Sequence, residues 1–440
     1  MKSALTYSAL LVLLTSNPVR GADWPQWLGP ERDSVWREKG IVESFPEDGL
    51  QIKWRSAVGL GYSGPAVANG RVFVMDYELK SGEIANSPGT RSRLTGQERI
   101  ICMDAESGAT RWQYAYDRPY ELSYPSGPRC TPTVNDGCVY ALGAHGDLTC
   151  LDAATGVVIW KKNFVDDYQA STPIWGFAAH PLVDGELLYC IVGGKGSVAV
   201  AFDKKTGQEV WRALTATEQG YCPPTMIEHA GVKQLLIWHP ESLNSLNPLT
   251  GEVYWSVELK PAYGMSVTVP RKVGSYLFAS GIGGVGALVK LNDDKPGAEI
   301  EWRGKPKDAV YCCNSTPQIV DGVIYGNDCQ IGSLMAVRLD NAERLWETFQ
   351  PTSGGDRRAS HGTAFIVRHE DRFFLFSETG DLILADLTDK RYQEISRFHV
   401  LDPTNECFGR EVVWSHPAFA NKSVFARNDK EVVCVSLAAE

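Results

Sequence analysis

A nine-residue frame repeated four times, a hairpin signal ahead of each copy, and eight aromatic positions spaced 44 to 58 residues apart predict an all-β chain folded as one eight-bladed β-propeller. The frame reads DAESGATRW (104–112), DAATGVVIW (152–160), DKKTGQEVW (203–211) and NPLTGEVYW (247–255). An Asp or Asn opens it, a glycine turn follows, and Trp closes it. Looser copies end at Trp302 and Trp346, Phe398 takes the tryptophan position of DLTDKRYQEISRF, and Trp54 ends EDGLQIKW. The structural series is thus Trp54, Trp112, Trp160, Trp211, Trp255, Trp302, Trp346 and Phe398, one for each four-stranded antiparallel blade. Large rings at a fixed place in a repeat are expected to pack between neighbouring units.

Each unit starts alike. SGPAVANGRVFV, CTPTVNDGCVYAL, AHPLVDGELLYC, PPTMIEHAGVKQLLI, STPQIVDGVIYG and HPAFANKSVFA are paired alternating β-rich runs around a turn, often Asn/Asp-Gly. A third strand leads to the Asp and a fourth ends at the Trp. The strands near 414–437 lack a following Trp, and LQIKW lacks preceding strands. These two pieces complete one blade, so the N-terminal strand is predicted to join the C-terminal blade and close the ring, which leaves few free edges. Residues 49–440 form this single domain, with 22–48 as a leading segment packed on its surface. The polar, glycine- and serine-rich stretch 79–97 reads as a surface loop inserted in the first blade.

The first 21 residues combine Lys2, an apolar run from Ala4 to Leu14, and small residues Val19 and Gly21 before Ala22. That is a signal-peptide pattern, too short to span a membrane, so the protein is expected to be exported to a periplasm or beyond, without a transmembrane segment in the mature chain. The net charge of −10 argues against nucleic acid. Among 11 cysteines no CxxC or CxxCH occurs, and most lie in apolar strand-like runs where Cys acts as a small hydrophobe. The eight histidines show no metal-ligand spacing, so no metal site is assigned.

A binding site in such a ring would lie where each chain segment enters its inner strand. Aligned on the inner-strand proline, the residue three before it is Tyr62, Arg129, Ala178, Tyr221, Asn314 or Trp414; Ser266 and His361 complete the ring. This polar-aromatic set either contacts a ligand or partner loop at the channel mouth, or seals the channel by internal hydrogen bonds. Cys312 and Cys313 flank it in YCCNSTP. A disulfide between neighbours would be strained, since consecutive Cα atoms lie about 3.8 Å apart and ordinary disulfides want roughly 4.4–6.8 Å.

The AxDxxTGxxxW frame resembles the pyrroloquinoline-quinone (PQQ) repeat, the tryptophan-docking motif, and WPQWLGP (24–30) resembles the start of many PQQ-like propellers. Two families carry the motif. Quinoprotein alcohol dehydrogenases bind PQQ and calcium; the propeller subunit of the outer-membrane β-barrel assembly machinery binds proteins. Resemblance to the first would place the quinone near Cys312 and Cys313, where that family has a vicinal disulfide. Its calcium ligands, catalytic Asp and floor Trp have no recognisable counterpart in this chain. The expected function is therefore a non-catalytic, exported binding or scaffolding propeller that presents its mouth loops and blade edges to protein partners. The alternative is a PQQ-dependent oxidoreductase.

Two further patterns are set aside. Gly281, Gly283 and Gly286 spell GxGxxG, but a strand-like run follows where a phosphate-binding helix would be needed. Arg357 and Arg358 in GGDRRASHG read as a solvated linker pair.

Overall fold

The computed structural model describes residues 22–355 and 357–439. The signal-peptide expectation for 1–21 lies outside them. Eight four-stranded antiparallel sheets run in sequence order, innermost strand first in each, and together make the predicted eight-bladed β-propeller. The blade that starts at Ala66–Ala68 also carries a fifth strand, Tyr120–Leu122. Ring closure follows the sequence expectation. The N-terminal strand Ile52–Ala57 pairs antiparallel with Glu431–Ser436, from Ile52 opposite Val435 to Ala57 opposite Glu431. Hydrophobic clusters lie between facing blades; Leu142, Leu148 and Cys150 meet Leu188, Val200 and Phe202 in one of them.

The repeated frame has a geometric cause. In all eight outer strands the ladder skips one residue ahead of the docking position, a bulge that re-aims the next side chain. Past the bulge the Trp turns toward the next blade. Trp160 Nε1 donates to Lys204 O at 3.0 Å, and Trp54, Trp112, Trp211, Trp302 and Trp346 make the equivalent bond to the following blade at 2.8 to 3.1 Å. In the four regular copies the acceptor carbonyl belongs to the residue just after the Asp or Asn that opens the frame: Ala105, Ala153, Lys204 and Pro248. The glycine of the frame lies flat against the previous blade's indole. A Cβ at Gly207 (φ 68°) would stand 2.6 Å from Trp160 Cδ2, so glycine is needed for both its backbone angle and its missing side chain.

Two members depart from the rule. Trp255 donates to Gln234 Oε1 of its own blade at 2.9 Å, because the next turn, NDDKPG, is longer and lacks the TG step. In the outer strand Tyr392–His399 the register puts Ser396 where the other blades have Trp. Phe398 lies two residues further along, and Gly49, just after the leading segment, packs on its ring.

The leading segment does not wrap the surface as expected. It enters the central channel from the end opposite the inner-strand starts and touches every blade. Trp24 pairs with Val67, Pro25 O accepts from Val134 N, and Arg32 reaches the carbonyls of His180, Pro181 and Pro224. Arg271 and Gln318 donate to Asp33 O, Ser34 donates to Ile366 O, and Trp27 and Trp36 meet His416 and Phe419. Trp27 also stacks on His180, with centroids 4.6 Å apart at 10°. A residual cavity of only about 10 Å³ remains beside Trp24, Leu28 and Phe365. Three buried tryptophans in thirteen residues explain why a segment with so little regular structure is fixed here.

The 79–97 stretch is also built differently from the expected loop. Arg71–Ser81 and Ser92–Asp104 pair as far as Ser81 opposite Thr95, and Leu94 is buried. Tyr77 stacks on Tyr120 at 4.0 Å, which holds this extended hairpin over the mouth. The GxGxxG run is a hairpin, Tyr276–Gly281 against Val285–Leu291, as its sequence suggested.

Candidate functional site

The inner-strand starts place the ring residues side by side, but their chemistry is largely turned inward. Arg129 lies over the Tyr62 ring at 5.1 Å and spends its guanidinium on the carbonyls of Ser123, Tyr124 and Gly127. Tyr221 packs against Trp175 at 5.6 Å, and its N–H donates to Ser266 O. Ser266 is buried and its hydroxyl donates to Trp238 O at 2.9 Å. Asn314 donates to His361 O and Thr363 Oγ1, and Ala178 is half-buried. His361 and Trp414 meet at 6.3 Å.

A lid that the sequence reading did not assign covers this ring. A small hairpin, Asn405–Cys407 with Arg410–Val412, crosses the mouth between the last two blades. Its tip residue Phe408 stacks on His361 with centroids 5.0 Å apart and planes at 4°, and reaches Trp414 and Tyr124 at 6.4 and 6.3 Å. Tyr124, His361 and Phe408 all have left-handed backbones (φ 48°, 59° and 52°), a conformation costly for bulky residues and concentrated at sites whose surroundings enforce it. The run CFGREVV carries a faint hairpin signal in Gly409, but three-residue arms are too short for a clear strand pattern.

Glu378 latches the lid. Its buried carboxylate accepts two hydrogen bonds from Arg410, at 2.8 and 3.1 Å, one from Trp414 Nε1 at 3.0 Å and one from Thr363 N at 3.2 Å. Burial pushes this carboxyl up from the usual range, while Arg410 pulls it back toward ionisation. Asn405 ties the hairpin to Asn86 in the loop of the long first-blade hairpin, at 2.7 Å. Tyr124 Oη is buried under the lid without a protein hydrogen-bond partner.

Burial brings the His361 imidazole down to about 4, with the Arg410 charge acting in the same direction. Its folded value lies below the unfolded value of about 6.5, so the unfolded chain binds the extra proton between them. The contribution to stability is whole above that window and is lost as pH falls through it toward the folded value. Urea unfolding should therefore show wild type losing stability relative to His361→Gln as pH drops from about 7 to about 5. A pH-independent difference between the two proteins would contradict this account.

The cysteine pair does not offer a quinone site. All eleven cysteines are free thiols, and Cys312 and Cys313 are 0% and 2% exposed. Burial raises both thiols, which disfavours the reactive thiolate. Cys312 N–H donates to Ser280 Oγ at 2.7 Å, and Cys312 sits in an apolar cluster with Val310, Ile324 and Met335. Among the described residues no three His, Cys, Asp or Glu side chains converge as metal ligands. PQQ with calcium thus does not fit the residues at this mouth, where lid aromatics fill the space in front of the ring.

Comparison with known proteins decides the family. Residues 96–228 and 239–440 match the family described as outer membrane protein assembly factor BamB. The chain belongs to that family. BamB of Yersinia pestis is 24% identical over 276 residues, covering 59% of this chain and 66% of that protein. The quinohemoprotein alcohol dehydrogenase ADH-IIG of Pseudomonas putida is 29% identical over 134 residues, covering 28% of this chain and 18% of that enzyme. The chain thus spans just under two thirds of that BamB and less than a fifth of the dehydrogenase. Among solved structures, the quinohemoprotein alcohol dehydrogenase of Comamonas testosteroni aligns with TM-score 0.62 at 12% identity, over 97% of this chain and 82% of that one. At that identity the likeness shows the fold alone. Among the described residues no helix is long and apolar enough to cross a membrane.

Proposed function

We propose that this protein is an exported, non-catalytic binding or scaffolding propeller that works in the cell envelope by presenting its lidded mouth and blade edges to protein partners. The observation that carries this reading is the lid itself. The mouth is a filled aromatic surface with Phe408 43% exposed at its tip, which suits contact with another protein better than enclosure of a small cofactor. The blade edges supply a second contact surface. Val157, Ile159, Val210, Leu249 and Val253 are exposed on the outer strands, or on the turns leading into them, of three successive blades, where unpaired strand groups also face solvent. The names of the BamB relatives supply the context of outer membrane protein assembly.

Two measurements test the reading together. A photo-crosslinking residue at Phe408 or Leu249, in cells of the native host, should give discrete protein adducts that a control at exposed Lys260 does not. Purified protein mixed with PQQ and calcium should emerge from gel filtration without quinone absorbance. Retained quinone with dye-linked alcohol oxidation would replace this reading with the dehydrogenase one. Absence of specific adducts at both positions would remove its support.

A further inference from the structure

The first two blades leave a groove of about 340 Å³ between them, apart from the mouth and from the apolar edges. Small-molecule sites begin at about 300 Å³. One wall is Tyr114 and Tyr116, two residues apart on the outer strand Thr110–Asp117, with ring centroids 5.8 Å apart. The other wall comes from the neighbouring blade's outer strand, Val158–Asn163, and the short helix that follows it.

Polar groups converge on the groove. Arg118 donates to Asp147 Oδ1 at 2.6 Å, and Asn163 Nδ2 donates to the same oxygen at 2.9 Å. Asp147 Oδ2 and Arg118 Nε are buried without a protein hydrogen-bond partner. A native structure rarely leaves both an acceptor and a donor unmet in one place. Behind the tyrosine wall, Glu98 is fully buried and accepts from Tyr116, Tyr120 and Ala144 N, which fixes the Tyr116 ring from the rear.

Charge selects the ligand class. Asp117, Asp147, Asp166 and Asp167 face Arg118, Lys161 and Lys162, so neither sign dominates. A phosphate or polyanion would meet four carboxylates, and a polyamine would meet three cations. A neutral ligand rich in hydroxyl groups suits both. Each hydroxyl can donate to a carboxylate and accept from a guanidinium or ammonium, and the apolar face of a sugar ring can lie on tyrosine.

We propose that this groove between the first two blades is a carbohydrate-binding site that takes a mono- or disaccharide through Tyr114, Tyr116 and the Arg118–Asp147–Asn163 network. The site is independent of the mouth and of the protein-binding reading above.

Saturation-transfer NMR on the intact mature protein, with maltose, cellobiose and N,N′-diacetylchitobiose as probes, tests it. At least one should show transfer to its ring protons. Tyr114→Ala, at a half-exposed position that also packs on the core between the blades, should weaken that binding about tenfold or more in protein that is still folded at the assay temperature, with its melting transition somewhat lowered. Asp147→Asn keeps the side-chain shape and should also weaken it. The proposal fails if none of the three sugars shows transfer, or if Tyr114→Ala binds as the wild type does.

Discussion

Trp160→Ala should lower unfolding stability by roughly 3–5 kcal/mol, the range for truncating a large buried aromatic. The indole closes the interface between two blades. It covers Gly207, whose absent Cβ lets the ring lie flat, and bonds Lys204 O across the gap. Tyr140, Leu148 and Phe164 share its cluster, so truncation opens a cavity bounded by both blades. Trp160→Phe separates packing from hydrogen bonding. Lys204 O also accepts from Tyr140 Oη at 3.1 Å, so the carbonyl keeps a partner when the indole N–H is lost. The Phe variant should therefore cost about 1–2 kcal/mol, the net worth of one hydrogen bond plus a small packing deficit. Equilibrium urea unfolding measures both. Equal losses in the two variants would mean that the hydrogen bond, and not the packed ring, holds the blades together.

Glu378→Ala should cost about 3–5 kcal/mol and release the lid, because it strands the Arg410 guanidinium and removes the acceptor for Trp414 Nε1 and Thr363 N. Arg410 keeps only its bond to Ser360 O among those that anchor it. Glu378→Gln retains acceptor oxygen and shape without the charge, so its effect should be intermediate. The lid carries its own reporter. Cys407, the last residue of the hairpin's first arm, is 1% exposed and turned in against Tyr124 and Val412, and Cys102 is buried in a blade interface. Under native conditions a thiol reagent followed by mass spectrometry should label Cys407 faster in Glu378→Ala than in wild type, with Cys102 still protected. If both cysteines label together, the hairpin does not move apart from the blades and the latch is only one more part of the global fold. A two-stranded hairpin with three-residue arms has little stability of its own, which makes local release the expected outcome.

The two variants bear on different levels of the same design. The docking tryptophans were legible because their cause is local and repeats: a turn, a bulge and a ring at fixed offsets. The departures at Trp255 and Ser396 were not, since they depend on the length of a turn or the register of a strand in an irregular copy. The ring at the mouth was legible as a set of positions, from Tyr62 to Trp414. Its orientation was not. Nothing in the sequence near Arg129 says that the guanidinium folds back onto the carbonyls at 123, 124 and 127, and nothing near His361 announces Phe408, 47 residues later. The Arg118–Asp147–Asn163 network draws on residues up to 45 positions apart that only meet when two blades stand side by side.

By itself the sequence determined the blade count, the strand order within each blade, and closure of the ring by residues near 54. These follow from alternation and turn chemistry, which act over a few residues and repeat often enough to average out local exceptions. Tertiary structure alone decided what fills the two ends of the channel. The leading segment plugs one end with Trp24, Trp27 and Trp36, and a short hairpin carrying Phe408 lids the other. Neither has a periodic pattern, because each meets a different partner at every residue. Their placement is set by the shape and hydrogen-bonding groups of a channel that exists only once all eight blades are in place.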